Sequence, residues 1–397
     1  MKLKSILKIS ALFVLINGIT AFIGTKIVPY LGFFPYGDLL LEYKLPAWFR
    51  SFANFDGLHY ILIVYNHGYS QYEQAFFPLY PIVFGFFSYI TKLPAIVSAL
   101  ILPPLFATFG FVFFVKIQKL MRLGKEEQIW TFMLLLFFPT SFFFQAAYTE
   151  GVFFLLFMLT IWAMFEKKYI LAFIAGVLLG LTRFMGLFVI IPSIAILFQQ
   201  NTKEFNLLNI FQDLILTLRK RTLPVAVALS PALGFGIYVF YLWRTTGDPL
   251  IFFNSQPAFG ANRSTSLIFP PQVIYRYIKI FLTAMPNFQY FISFLELVFY
   301  VFVGSFLLFD LWKIIKNKYS YALYFRFGLL IFSVLNILLP SLTGTLSSMP
   351  RYSLMSLSVY LSVANIRNSK IKLGIAIIFG ILHLLLLMLF IQGYFVS

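Results

Sequence analysis

Cysteine is absent from this chain, and charged side chains are scarce. The 397 residues contain no Cys, which excludes disulfide bonds and thiolate chemistry. Charged residues make up 11% of the sequence, whereas 61% of it is hydrophobic and 20% is aromatic. This composition lies far outside the range of soluble globular domains. We therefore expect lipid to surround most of the chain, because one aqueous core could not use so much aromatic surface.

Acidic residues are much rarer than basic ones. The chain has 13 Asp and Glu against 30 Lys and Arg, which gives a formal net charge of +17. The basic residues form no single dense patch, and no nucleic-acid-binding motif accompanies them. Most of them lie in loops between apolar runs, a pattern typical of topology determinants and of contacts with anionic head groups. We expect the lipid bilayer as a partner, and no nucleic acid.

The apolar runs predict a multi-pass membrane protein. A spanning helix needs about 20 apolar residues to cross about 30 Å of hydrocarbon. Lys2, Lys4 and Lys8 precede the first run, which resembles a signal peptide but is long enough to span and lacks a convincing cleavage site. The predicted spans are 9–28, 96–115, 129–147, 150–165, 222–243, 288–309, 321–340, 352–366 and 373–393.

Two further apolar regions are too short or too interrupted to span simply. Arg183 divides 169–198 into halves that are each too short to cross, so we predict a re-entering pair with Arg183 in an outer recess. An arginine facing lipid would cost at least about 2.5 kcal/mol. The run 75–90 carries two early prolines and predicts a juxtamembrane or re-entrant helix. If it crossed, the basic stretch 116–125 would be exported, against the positive-inside rule.

This topology gives one membrane domain, 1–397, with two long extracytoplasmic segments. The first, 29–95, contains juxtamembrane helices, and the second is 244–287. Loops of this length are usually functional when they are too hydrophobic to be disordered. The acidic residues at or beyond the outer surface, which are the candidate general bases, are Asp38, Glu42, Asp56, Glu73, Glu150 and Asp248.

Asp56 is the strongest of these candidates. Aromatic residues flank it, Gly57 follows it, and His59 lies three residues further along the chain. A carboxylate in these surroundings would be partly desolvated, and on a helix it would be within reach of the imidazole.

The sequence around Asp56 resembles the signature of a known family. The stretch SFANFDGLHYILIVYNHGYSQYEQAFFPLYP, 51–81, is similar to that of the PIG-V mannosyltransferases, which comprise the second GPI mannosyltransferase and bacterial relatives. Further pieces agree in order: FPTSFFFQAAYTEGVFF at 138–154, LTRFMGL at 181–187, GDPLIFF at 247–253 and MPRYSLM at 349–355. Phe55 is a departure, since the family usually has Trp there.

The resemblance implies an all-α GT-C fold with about 11 transmembrane helices and a large first outer loop. It also implies a polyprenyl- or dolichyl-phosphate mannose donor and inversion by a single carboxylate base, which in this chain is Asp56. An acceptor hydroxyl on a glycolipid or glycan needs a positioned base, and a phosphate leaving group needs a cation. Arg183 and Arg351 are candidates for that cation because a guanidinium offers paired donors.

We predict Asp56 and His59 as catalytic residues and Glu73 and Glu150 as substrate-binding residues, together with the two arginines. Each has a structural alternative. Asp56 could bond a loop backbone, and His59 could be a hydrogen-bonded core residue. Glu73 could be a solvated loop charge, and Glu150 could serve a helix dipole. Arg351 could anchor to lipid phosphate, whereas a cation such as Arg183 at membrane depth is functional by default.

The sequence contains no strong signal for a metal or a cofactor, and it leaves other functions open. His59, His67 and Glu73 could suggest a metal, but no tight ligand motif supports one, so we expect neither a metal nor a cofactor. A transporter or flippase for a lipid-linked glycan is the main alternative, because broken helices and intramembrane charges mark translocation paths. The two halves show no matched repeat. An inactive homologue in an assembly is a third possibility. We expect a bacterial plasma membrane, or the endoplasmic reticulum in a eukaryote, with an extracytoplasmic active site.

Overall fold

The computed structural model describes residues 1–31, 34, 36–201, 210–260, 263–316, 319 and 321–396. Within those residues the regular structure is helical and no strand occurs. The α-helices are α1 (Leu3–Ile27), α2 (Ala47–Arg50), α3 (Asp56–Tyr65), α4 (Leu79–Thr91), α5 (Ala95–Leu120), α6 (Lys125–Phe137), α7 (Glu150–Phe165), α8 (Tyr169–Gly180), α9 (Ile190–Asn201), α10 (Ile210–Lys220), α11 (Thr222–Ala228), α12 (Ser230–Thr246), α13 (Ile251–Asn254), α14 (Pro270–Thr283), α15 (Phe288–Ile315), α16 (Leu323–Ser341), α17 (Met349–Ser353), α18 (Leu357–Ala364) and α19 (Ser369–Ile391).

Several of these helices are long and apolar enough to cross a bilayer. In the described part of the chain there are five, namely α1, α5, α15, α16 and α19. The pair α11 and α12 would make a sixth, although it bends by 48° at Leu229. The spans predicted over the five long helices are confirmed as helices, whereas the predicted span 222–243 is bent and divided between α11 and α12. The architecture is that of an α-helical, multi-pass membrane protein. The count of about 11 helices and the GT-C fold stay predictions.

Two further predicted spans are wrong as continuous helices. The first, 129–147, is broken because α6 ends at Phe137 and Phe138 is extended, with φ −54° and ψ 135°. The proline at 139 accounts for this, since its ring disfavours helical backbone in the preceding residue. A short 3-10 turn, Ser141–Phe144, follows before α7 begins. The segment therefore places a non-helical stretch next to the start of α7.

The second, 352–366, is divided between α17 and α18. The Asn336 side-chain amide donates hydrogen bonds to the Tyr352 carbonyl and to Ser356 Oγ. That carbonyl would be the acceptor for the residue 356 amide in a continuous helix. Because Asn336 takes it, the chain breaks there and Arg351 is held in the short helix α17.

The break predicted at Arg183 is confirmed. Helix α8 ends at Gly180, Arg183 is fully extended, and a 3-10 helix, Phe184–Val189, leads into α9. The chain turns back closely here, since a Cβ at Gly186 would lie 2.4 Å from the Leu179 carbonyl oxygen. The re-entrant course of the pair relative to a membrane stays a prediction.

The two long segments predicted to be extracytoplasmic, 29–95 and 244–287, contain more helix than their sequence indicates. The first includes α2, α3 and α4, and α4 matches the short helix predicted near 75–90. The second was predicted only as a long loop, but it contains α14. Two prolines occupy the first turn of α14, where their missing amides cost nothing, and Val273 and Tyr277 are buried on one face.

Ion pairs join the first turns of three helices. Arg326 of α16 contacts Glu127 of α6 at 3.0 Å, and Lys372 of α19 contacts Glu126 at 2.6 Å. The last turn of α19 lies beside the first outer segment, where Asn54 donates to the Phe390 carbonyl at 2.9 Å. The two ion pairs therefore join α6, α16 and α19 at one end. The Asn54 hydrogen bond joins the other end of α19 to the segment 29–95.

Small residues allow α8 and α12 to pack backbone to backbone. A Cβ at Gly176 would lie 2.0 Å from Ser230 Oγ, and one at Gly180 would lie 2.1 Å from the Pro231 carbonyl oxygen. Gly234 faces α8 in return, with a Cβ position 1.9 Å from the Val177 carbonyl oxygen. This contact supports the broken region that carries Arg183.

Replacing Gly234 with Ala should destabilise the protein by about 1 to 3 kcal/mol, because the added methyl group overlaps backbone that cannot yield. Gly236→Ala on the same helix is the matched control, since no atom lies within 4 Å of its Cβ position. Thermal denaturation in detergent should show a lower midpoint for Gly234→Ala only. Equal midpoints for the two variants would contradict this packing.

Candidate active site

Long-range hydrogen bonds hold Asp56 at the start of α3 against backbone strain at the preceding residue. Phe55 has φ 58° and ψ −119°, a region that L-residues rarely adopt and that costs about 1 to 3 kcal/mol. Its neighbour Asn54 is held on both sides, by its own bond to Phe390 and by the Tyr148 hydroxyl, which donates to the Asn54 carbonyl at 2.9 Å. The surrounding structure therefore fixes the position from which the Asp56 carboxylate projects.

A cavity of about 220 Å³ collects charged residues from distant parts of the chain. Two carboxylates and three guanidiniums line it, together with aromatic side chains. The charged residues come from the starts of α3 and α7, from the break before α9, from the second outer segment and from α17: Asp56, Glu150, Arg183, Arg263 and Arg351. The carboxylate and the guanidinium that the sequence predicts to converge, Asp56 and Arg183, both line this cavity.

Four of these residues form a chain of ion pairs. Arg351 Nη1 donates to Asp56 Oδ2 at 2.6 Å, and Arg183 Nη1 donates to Glu150 Oε1 at 3.0 Å. Arg351 Nε lies 3.9 Å from the same Glu150 oxygen and joins the two pairs. Glu150 is the most buried member, with 2% of its side chain exposed, whereas Asp56 keeps 29% exposed. The partner of Asp56 is thus Arg351 and not Arg183.

The pairing keeps Asp56 ionised. Burial alone would raise the pKa of this carboxyl, but the charge and the hydrogen bond of Arg351 outweigh it and lower the pKa below its usual value. The charges of His59 and Arg263 act in the same direction. Burial would lower the pKa of Arg351, yet Asp56 and Glu150 raise it well above its ordinary value. At neutral pH the cavity therefore holds an anionic carboxylate beside a protonated guanidinium.

Tyr352 marks the electropositive side of the cavity. Burial would raise the pKa of its phenol, but the nearby guanidiniums of Arg263, Arg351 and Arg183, in that order, lower it below the usual value. A phenol in such a field is a strong hydrogen-bond donor to an anion. Neither Tyr352 nor Arg263 was predicted as a site residue. Tyr352 stands in the MPRYSLM piece, whereas nothing in the sequence around Arg263 distinguishes it from other loop cations.

His59 and Glu73 form a separate pair beside the cavity. His59 Nδ1 lies 3.5 Å from Glu73 Oε1, and Glu73 Oε2 accepts a hydrogen bond from the Ser70 amide at 2.8 Å. The His59 ring stacks on Phe76 at 5.1 Å and meets the edge of Phe259 at 5.5 Å. Neither His59 nor Glu73 is among the described residues that line the cavity. The predicted set is therefore divided between the cavity and this neighbouring pair.

No group of three or more His, Asp or Glu that could hold a metal ion occurs within the described part of the chain.

Comparison with known protein families, with curated proteins and with solved structures gives no match for this chain.

Removing the Glu150 carboxylate should destabilise the site. In Glu150→Gln, two largely buried guanidiniums lose their shared anion, so we expect a loss of about 3 to 5 kcal/mol in the free energy of unfolding. Glu166→Gln is the control, because Glu166 is exposed and forms no ion pair with any other described residue. Thermal denaturation in detergent measures both. A Glu150→Gln variant as stable as Glu166→Gln would refute the structural importance of the ion-pair chain.

Proposed function

We propose that this chain is a glycosyltransferase that moves a mannose-type sugar from a polyprenyl- or dolichyl-phosphate carrier to a hydroxyl group of a glycolipid or glycan. The observation that carries the proposal is the presence of an ionised carboxylate and three guanidiniums in one cavity. The resemblance of 51–81 to the PIG-V mannosyltransferases gives the sugar and the carrier. The proposal includes the GT-C fold and an extracytoplasmic active site.

The reaction assigns opposite roles to the two kinds of charge. The acceptor hydroxyl oxygen attacks the anomeric carbon of the sugar, and Asp56 takes the hydroxyl proton as general base. The bond between that carbon and the phosphate oxygen breaks, and the electron pair leaves with the carrier phosphate. The excess positive charge of the cavity stabilises the negative charge that develops on the phosphate. Attack opposite to the leaving group inverts the configuration of the anomeric carbon.

The ion pair between Asp56 and Arg351 limits the strength of the base. A carboxylate with a lowered pKa is ionised but accepts a proton poorly. When an anionic phosphate enters the cavity, it shares the positive charge that now acts on Asp56. The same binding event then raises the proton affinity of the base, so that the base gains strength when the donor is present.

Replacing Asp56 with Asn should reduce sugar transfer by roughly 10² to 10⁴-fold, because the amide cannot accept the proton. The assay uses purified protein in reconstituted membranes with radiolabelled carrier-linked mannose, compared with glucose and arabinose carriers. Asp38→Asn, an exposed acid in the same outer segment, is the matched control and should retain activity. Both variants are checked for folding by thermal denaturation.

Undiminished turnover by a folded Asp56→Asn variant would remove Asp56 from the mechanism. Movement of the carrier-linked sugar across vesicles without covalent transfer would instead favour the transporter alternative.

The pH dependence of kcat/KM for sugar transfer should depend on the charge of Arg351. With Arg351 present, the pKa of Asp56 is lowered, so kcat/KM should stay constant as pH falls toward the ordinary range of a carboxyl group. In Arg351→Gln the opposing cation is gone and burial dominates, so the acid limb of kcat/KM should move to higher pH. Arg244→Gln, an exposed arginine at the end of α12, is the control for net charge. Identical acid limbs in all three proteins would contradict this assignment.

A further inference from the structure

Two of the three guanidiniums in the cavity already have carboxylate partners. Arg351 is bound to Asp56 at 2.6 Å, and Arg183 is bound to Glu150 at 3.0 Å. Arg263 instead donates from Nη1 to the neutral Gln256 Oε1 at 2.9 Å. Among the residues that the structure describes, no carboxylate oxygen lies within 4.0 Å of a guanidinium nitrogen of Arg263, so Arg263 forms no ion pair with them.

The charge balance of the cavity places its excess at Arg263. Three arginines and two acids line the cavity, so three positive charges against two negative ones leave one positive charge over. The ion-pair chain neutralises Arg351 and Arg183 with Asp56 and Glu150. A ligand that carried negative charge would gain most where no carboxylate has to be displaced, because breaking a buried ion pair is costly.

Tyr352 is another hydrogen-bond donor in the cavity that Arg263 lines. Its side chain lines the same cavity, and Arg263 is foremost among the guanidiniums that lower the pKa of its phenol. The hydroxyl of Tyr352 and the guanidinium of Arg263 are both hydrogen-bond donors. Together they suit the oxygen atoms of a phosphate group, which accept such charge-assisted bonds.

The backbone beside Arg263 is fixed to the end of α16. The Ser264 amide donates to the Thr343 carbonyl at 2.8 Å, and the Ile268 amide donates to the Leu342 carbonyl at 2.9 Å. The loop is therefore held against the cavity independently of the Arg263 side chain. The amide of Gln256 can be exchanged for a ligand oxygen without leaving a carboxylate unpaired.

We propose that Arg263, with the Tyr352 hydroxyl, binds the phosphate group of the ligand, whereas Arg183 positions Glu150. This assignment rests on the proposed function, from which it takes the identity of the ligand as the phosphate group of a lipid carrier. The chemistry it recognises is a phosphate oxyanion, whether this is attached to a lipid or free in solution.

The test measures binding of farnesyl phosphate to the full-length protein in detergent, by titration calorimetry. Arg263→Gln should weaken binding roughly 10- to 100-fold, because a charge-assisted bond to the phosphate is lost. Arg263→Lys should retain part of the affinity, since it keeps the charge but not the paired donors. Tyr352→Phe should cost roughly 2- to 10-fold, the effect of one hydrogen bond.

Two controls separate ligand binding from loop structure. Gln256→Ala removes the side-chain partner of Arg263 but keeps the guanidinium, so it should weaken binding far less than Arg263→Gln does. Arg244→Gln removes one exposed positive charge elsewhere and should bind as the unaltered protein does. Equal losses for Gln256→Ala and Arg263→Gln would overturn the proposal, and so would an Arg263→Gln variant with unchanged affinity.

Further arms identify the source of the phosphate and separate this proposal from the proposed function. Farnesol, which lacks the phosphate group, should not compete with farnesyl phosphate for the site. If inorganic phosphate binds as tightly as farnesyl phosphate, the oxyanion site is supported but its ligand is free phosphate. If Arg263→Gln transfers sugar with the same donor KM as the unaltered protein, the role of Arg263 is refuted and the proposed glycosyltransferase activity stands. Arg263-dependent binding without transfer from any carrier would refute the glycosyltransferase and leave the phosphate site intact.

Discussion

The Arg351 guanidinium lies between two carboxylates, and the candidate site depends on this arrangement. Asp56 is 2.6 Å away on one side, and Glu150 is 3.9 Å away on the other. Taking charges out of water is expensive, so such a group persists only where each charge has a partner. Arg351 therefore joins α3, α7 and α17, and it extends through Glu150 to Arg183 at the break before α9.

The same arrangement sets the chemistry of the cavity. Arg351 keeps Asp56 ionised by lowering its pKa, which also weakens Asp56 as a base. Arg263 has no carboxylate partner among the described residues and bonds Gln256 instead. In the proposed function, an entering phosphate would act on both parts of the site, since it would meet Arg263 and reduce the positive field at the carboxylate. In the proposed function this coupling ties activation of the acceptor to occupancy by the donor. The hydrogen bonds of Asn54 hold this geometry against the backbone strain at Phe55.

Hydropathy predicts the long helices well because a spanning helix needs an uninterrupted apolar run. The breaks were harder to predict. Arg183 revealed one break because a charge in an apolar run is conspicuous, but 129–147 remained apolar across Pro139 and was predicted as continuous. The break after α17 depends on a hydrogen bond from Asn336, which is distant in the sequence and has no local signal.

The site shows the same division between local and long-range information. Asp56, Glu150, Arg183 and Arg351 could be singled out because each is a charge beside apolar or aromatic sequence. Their pairing could not, since it depends on how α3, α7 and α17 pack together. His59 follows Asp56 by three residues, yet its partner is Glu73 and it lies outside the cavity lining.

An experimental structure with a non-hydrolysable phosphonate analogue of a carrier-linked mannose would test the roles of Asp56 and the guanidiniums together. We expect the sugar to lie in the cavity with its anomeric carbon facing Asp56 and its phosphonate on the side of the guanidiniums. An analogue bound elsewhere while Asp56 and Arg351 remain paired in an empty cavity would contradict these roles.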